Sequence, residues 1–294
     1  MARGKRIKEY RLLQALRRWM QPPPGLGLDF TQPAGAPALA PADGVSWRVF
    51  SNPVSLFIGG VSAVLLELAE PRVRTGVWDH SKFRQDPFAR LHRTGYAAMV
   101  TVYAPVAHAQ TMIARVVNMH ARIRGHTPDG TPYHANDPQL LNWVQATAIF
   151  GFTEAFHRYV QALPVHAKDA AFAEGQASAR LYGAHGLPAD WKAWETLLDA
   201  TAPNLEGSEI LEEFLAIMRS APILPAPLRP LQRLLVRAAI DMTPAPVREW
   251  PQLQGQGLRR GERMLVRALG TLARLLPLPH LPPAQARRRM GIRG

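Results

Sequence analysis

Cysteine is absent from the 294 residues of this chain. That excludes disulfides, zinc–thiolate sites, iron–sulfur clusters and cysteine nucleophiles, and leaves any metal to His, Asp, Glu or Tyr. Acidic residues are scarce: 22 Asp and Glu stand against 35 Lys and Arg, for a net charge of +13. A secretory leader is not predicted, because the basic N-terminus is followed by no apolar stretch. The uncharged run from Phe50 to Leu66 is interrupted by Asn52, Pro53 and Gly59-Gly60. It is short for a membrane span of about 20 residues and reads as a core helix. No segment combines β-branched enrichment with sustained alternation, so no sheet is predicted.

What is there is a chain with 47% apolar residues, ample for a folded core. The sequence reads as a cytoplasmic protein. Its basic residues gather at the ends: Lys5, Arg6, Lys8, Arg11, Arg17 and Arg18 at the start, Arg287, Arg288, Arg289 and Arg293 at the finish. Such clusters suit nucleic acid or an anionic membrane. Without a zinc finger, RNP motif or helix-turn-helix, nucleic acid is not expected as a partner. Residues 4–20 have an amphipathic pattern, with Leu12, Leu13, Leu16 and Trp19 on one face. That helix packs on the body or offers peripheral membrane contact through its basic face.

The chain divides into this basic helix (1–20), a Pro/Gly-rich arm (21–46), a helical domain (47–276) and a basic, Pro-rich tail (277–294) predicted to be irregular. Within the domain the patterns predict an all-α fold. A helix over 53–69 stops near Pro71. Asp86-Pro87 opens a helix through Thr94. Segments 96–104 and 106–124 form one helix kinked at Pro105. A turn-rich loop follows at 125–132, and Asp137-Pro138 caps a helix to about Leu163. Further helices are predicted at 165–182, with Gly183 as its C-terminal stop, and at 188–200, 208–219, 227–242 and 257–276.

Polar groups able to ligate or polarise gather in Val77-Trp78-Asp79-His80-Ser81-Lys82-Phe83, in Arg90-Leu91-His92-Arg93-Thr94 and at His120. His120 shares a helical face with Ile113, Val116, Val117 and Ile123 and is predicted to point inward. It reads either as a core histidine bonded to a carbonyl or as a metal ligand. Arg90 and Thr94 stand four apart on one face. They read as ordinary helix surface or as a guanidinium for a ligand carboxylate with a hydroxyl beside it. Asp79, His80 and Ser81 suggest a hydrolase, but the strand–turn–helix setting of a nucleophile elbow is missing. Asp79 or Ser81 is instead expected to cap a helix start. Glu154 and His157 give one E-x-x-H spacing without the second that a di-iron site requires.

Taken in order, Phe57-Ile58-Gly59-Gly60, Ala63 to Pro71, Gly76 to Phe83, Asp86-Pro87, Arg90 to Thr94, His120 to Gly125, Asp129 to Pro138 and Trp143-Val144-Gln145-Ala146-Thr147 resemble the catalytic domain of the MpaB-type oxygenases and rubber oxygenases (latex clearing proteins). The similarity covers about residues 45–200 and thins beyond. It implies a single helical domain around a buried haem b, with His120 as the proximal iron ligand and Arg90 and Thr94 lining the pocket. Arg93 falls where the rubber-cleaving branch has a lysine, and an ever-protonated guanidinium is a poor iron ligand. Gln145 stands where that pattern carries His. The resemblance further implies that Asp79 and His80 lie by the cofactor, and that Arg90, Thr94 and Arg93 serve catalysis. The expected reaction is dioxygen-dependent cleavage of a C=C bond in an apolar, isoprenoid-like substrate. The alternative is a haem-binding or membrane-surface protein without turnover. The glutamate that acts as base in rubber cleavage has no match here: Arg74 occupies its place, and Glu67 and Glu70 lie too far upstream.

Overall fold

The computed structural model describes residues 23–275 and 278–292. The amphipathic helix predicted at 4–20 lies outside them. Among the described residues the fold is all-α, with one small exception noted below.

A short helix, α1 (Val45–Val49), precedes the central helix α2 (Pro53–Ala69). Asn52 starts α2: its Oδ1 accepts from the amides of Val54 and Ser55, and Pro53 fills the first turn, where no donor is needed. Pro71 does not simply stop the chain. Glu70 accepts from the Val73 amide and starts α3 (Pro71–His80), bent 108° from α2. Asp79 and Ser81 cap no helix start, contrary to expectation, because α3 ends on them. The cap of the following helix, α4 (Pro87–Tyr103), is Asp86, which accepts from the Ala89 amide.

The helix expected to kink at Pro105 is two helices. Ala104 is extended, Pro105 offers no amide, and α5 (Val106–His120) starts anew. The predicted loop after it is a two-stranded antiparallel ribbon, β1 (Arg124–His126) with β2 (Pro132–His134), Gly125 facing Tyr133. Three-residue strands are too short to show alternation. The ribbon is made by its turn, where Gly130 takes a φ of 87° and Thr127 and Thr131 bond across it. Then follow α6 (Pro138–Tyr159), capped by Asp137, α7 (Val165–Tyr182), ended by left-handed Gly183, α8 (Trp191–Thr201), α9 (Glu209–Ser220), α10 (Arg229–Met242), the single turn α11 (Ala245–Arg248), and α12 (Glu262–Arg274).

Helices α2 and α6 form the spine. They meet at Gly59 and Gly151, so closely that a Cβ on Gly59 would fall 2.6 Å from the Gly151 carbonyl oxygen. Trp143 of α6 donates to the Leu66 carbonyl at 3.0 Å, and Tyr159 to that of Ala238 on α10 at 3.0 Å. These bonds satisfy polar tips carried into the core by large rings.

The tail is not irregular: Pro282–Arg289 forms α13. Its Ala286 is buried against the arm and α4, and Arg289 is 3% exposed. The Arg289 guanidinium donates to the carbonyls of Phe30, Ala36 and Tyr103 at 2.7–2.9 Å. Arm, tail and the end of α4 are thereby tied at one side chain. Among the described residues no single helix is long and apolar enough to cross a membrane.

Candidate active site

Helices α4 and α5 pack on each other and reach α1, α7 and α13, but make no extended contact with α2 or α6. Partly open residues fall along one side of each of these helices. Helix α2 is buried along most of its circumference, yet Gly60, Val64 and Glu67, spaced four and three apart, keep open surface along one stripe. On α6, Val144, Gln145 and Ala148 do the same; on α4, Arg90 and Leu91; on α5, Val116, Val117 and His120. The walls are mainly aliphatic, as in most small-molecule sites.

Three charged or ionisable groups converge there. Burial pushes the Glu67 carboxyl up to about 7, against the opposing pull of the Arg90 guanidinium. Burial also lowers the Arg90 pKa, while Glu67 holds it up. The His120 pKa is lowered by burial first, then by the charge of Arg90 and by His134. Glu67 and Arg90 are thus shifted by burial while retaining open surface. That combination belongs to groups lining a recess, not to groups on the outer face.

His120 closes α5, and its Nδ1 is buried with no hydrogen-bond partner. A core histidine bonded to a carbonyl, the plain alternative from sequence, is not what the structure contains. Burial disfavours the charged ring and Nδ1 stands unpartnered, conditions that suit an imidazole nitrogen to ligation. Arg90 donates to the Thr94 hydroxyl, which in turn donates to the Arg90 carbonyl at 2.9 Å. No carboxylate among the described residues lies within ion-pairing distance of Arg90.

The remaining predicted residues are distributed differently. Arg93 is exposed on α4, near enough to Arg90 to disfavour its charge. Asp79 and His80 are exposed at the end of α3, and His80 Nε2 meets the Tyr133 hydroxyl at 3.1 Å. No hydrogen bond or ion pair joins either one to Arg90, Thr94 or His120. Arg74 is committed to the Glu206 carboxylate at 3.1 Å, and Glu70 to Arg72 and the Val73 amide. Glu154 is held by Arg158 and Lys168, and His157 Nδ1 accepts from the Leu163 amide at 2.9 Å. Among the described residues no three His, Asp or Glu side chains cluster as a bare metal ion would require.

The model of a known family, described as ER-bound oxygenase mpaB/B'/rubber oxygenase, catalytic domain, matches residues 47–275. The chain belongs to this family. No curated protein and no solved structure matches it. The mpaB/rubber oxygenase match spans all of α2, α4, α5 and α6, so the chain carries an oxygenase catalytic domain. Within that domain Glu67 is the residue that its position in the sequence had set aside as too far upstream. Its separation from Arg90 looks prohibitive along the chain, but the bend at Glu70 and the return through α4 bring the two together. The signal was a carboxylate on an otherwise apolar helix, whose burial demands a partner.

Proposed function

We propose that the recess binds haem b and that the chain is a haem-dependent oxygenase acting on an apolar, isoprenoid-like substrate. The observation that carries the reading is the buried His120 Nδ1, which has no hydrogen-bond partner, near an Arg90 that forms no ion pair among the described residues. The residues fit the group. A haem would ask the protein for one imidazole, since the porphyrin brings the iron's other nitrogens, and His120 would supply it. Its propionates match a guanidinium whose free edge is left for a planar carboxylate. Its apolar faces match Val64, Leu91, Val117 and Val144.

When bound, haem b supplies the iron chemistry by which dioxygen splits a C=C bond into two carbonyl groups. The protein's own part is positioning and proton control. Arg90 anchors a carboxylate and lends positive charge to the recess. Thr94 holds the Arg90 side chain through its hydroxyl and would offer that hydroxyl toward the open side of the cofactor. Arg93 adds charge from the rim and does not ligate iron. Glu67, poised near neutral pH, holds or accepts a proton at its carboxylate, the role for which Arg74 is unsuited. Gln145 contributes a neutral amide where family relatives carry an imidazole.

The test is the absorption spectrum of the purified protein beside His120→Ala. A Soret band that shifts with carbon monoxide in the wild type and is lost or displaced in the variant supports the ligand assignment. Full haem occupancy with unchanged axial ligation in His120→Ala ends it. The departures at Arg93 and Gln145 favour one alternative, haem binding without turnover. Dioxygen consumption with a polyisoprenoid, and carbonyl products from it, separates the two.

A further inference from the structure

Helix α12 (Glu262–Arg274) carries two apolar faces. Val266, Leu269, Gly270 and Ala273 turn inward, and the contact is tight: a Cβ on Gly270 would fall 2.2 Å from the Tyr159 carbonyl oxygen, while Asn52 donates to the Gly270 carbonyl at 2.9 Å. The helix is therefore clamped, and its opposite side is fixed toward solvent. An ordinary surface helix is polar on that side. Here it presents Met264, Leu265, Ala268, Leu272 and Leu275, with Met264 77% and Leu275 75% exposed. By helical spacing Arg263, Arg267 and Arg274 form a single row along one flank of this stripe. Among the described residues only Arg263 of the three meets an acid, Asp241 at 2.9 Å.

We propose that this outward face of α12 is a docking surface for an anionic lipid bilayer. An exposed apolar stripe needs an occupant, and the chemistry beside it selects one. A row of guanidiniums next to the stripe places aliphatic side chains in the acyl boundary and positive charge among phosphate headgroups, as in helices that lie in a membrane interface. The net charge of +13 adds long-range attraction to such a surface. A second copy of this chain would set the arginine rows and the basic bodies against each other and is disfavoured by that repulsion. The proposal does not depend on haem. It explains how an enzyme for an apolar substrate meets the phase in which such substrates dissolve.

The test uses the full chain in flotation with vesicles of phosphatidylcholine alone and of phosphatidylcholine with phosphatidylglycerol. Binding to the anionic vesicles, weakened by added salt, is expected. Met264→Asp with Leu272→Asp removes two interfacial side chains and lowers the partition coefficient on the order of a hundredfold. Arg267→Ala with Arg274→Ala lowers it on the order of thirtyfold. Both variants alter exposed positions, so circular dichroism and the thermal midpoint should match the wild type. The proposal is overturned if the wild type does not float, or if Met264→Asp/Leu272→Asp floats as well as the wild type, which places attachment elsewhere, for instance in residues 1–20. It is also overturned if the wild type is a dimer that this variant converts to monomer.

Discussion

Glu67 sits on an apolar helix with Arg90 across from it, and its two neighbours in function can be tested at single atoms. Its carboxyl is pushed from the ordinary 4.5 up to about 7. Between those values the folded chain retains a proton that the unfolded chain has released. Its contribution to stability is full below pH 4.5 and is lost as the pH climbs through 7. Glu67→Gln, which cannot ionise, should therefore gain on the wild type between pH 5 and pH 8, by on the order of 2 kcal/mol in urea unfolding. A difference that does not change with pH would place Glu67 in water. His120→Ala should cost the haem-free protein no more than about 1–2 kcal/mol in the same measurement, since the buried Nδ1 has no bond to lose. Loss of the Soret band without loss of folding then reports on ligation and not on collapse. At this scale the sequence was legible where helical spacing decides: the inward face of His120 and the Arg90–Thr94 pair follow from it. It set Glu67 aside as too far upstream, because the approach to Arg90 is made by a bend and a return, not by spacing.

Among the elements, the α2–α6 spine depends on two glycines. Placing a Cβ on Gly151 puts it 2.5 Å from the Gly59 carbonyl oxygen, which is backbone and cannot swing aside. Gly151→Ala is expected to lower stability by about 2–3 kcal/mol despite alanine's better helix propensity. A urea midpoint equal to the wild type would show that the helices part freely. The caps explain which helices the sequence revealed. Asn52-Pro53, Asp86-Pro87 and Asp137-Pro138 each pair a side-chain acceptor with a proline that needs none, and each marks a true start. Glu70-Pro71 does the same with a longer side chain, so a new helix begins where only a stop was expected. The ribbon after α5 and helix α13 were missed for a different reason. Strands of three residues have no measurable period, and Pro282-Pro283 reads as a break until Ala286 and Arg289 are seen to be buried.

For the molecule as a whole, the arm and tail are fastened by Arg289. Arg289→Ala would strand three carbonyls, those of Phe30, Ala36 and Tyr103. The expected loss is about 3 kcal/mol. Hydrogen exchange should rise over residues 28–38 and 282–290 while the α2–α6 spine stays protected. Arg289→Lys should not restore protection, because an ammonium cannot span three acceptors set around a planar fork. Equal protection in wild type and Arg289→Ala would show that apolar contact around Phe30 suffices.

The family match ends at residue 275, while this knot joins residues before 47 and residues after 281 to the Tyr103 carbonyl within it. Neither flank has a reason to persist alone. A lineage that gained one without the other would carry an arm with nothing to grip or a buried cation left with a single acceptor, so the two should be inherited, or discarded, together.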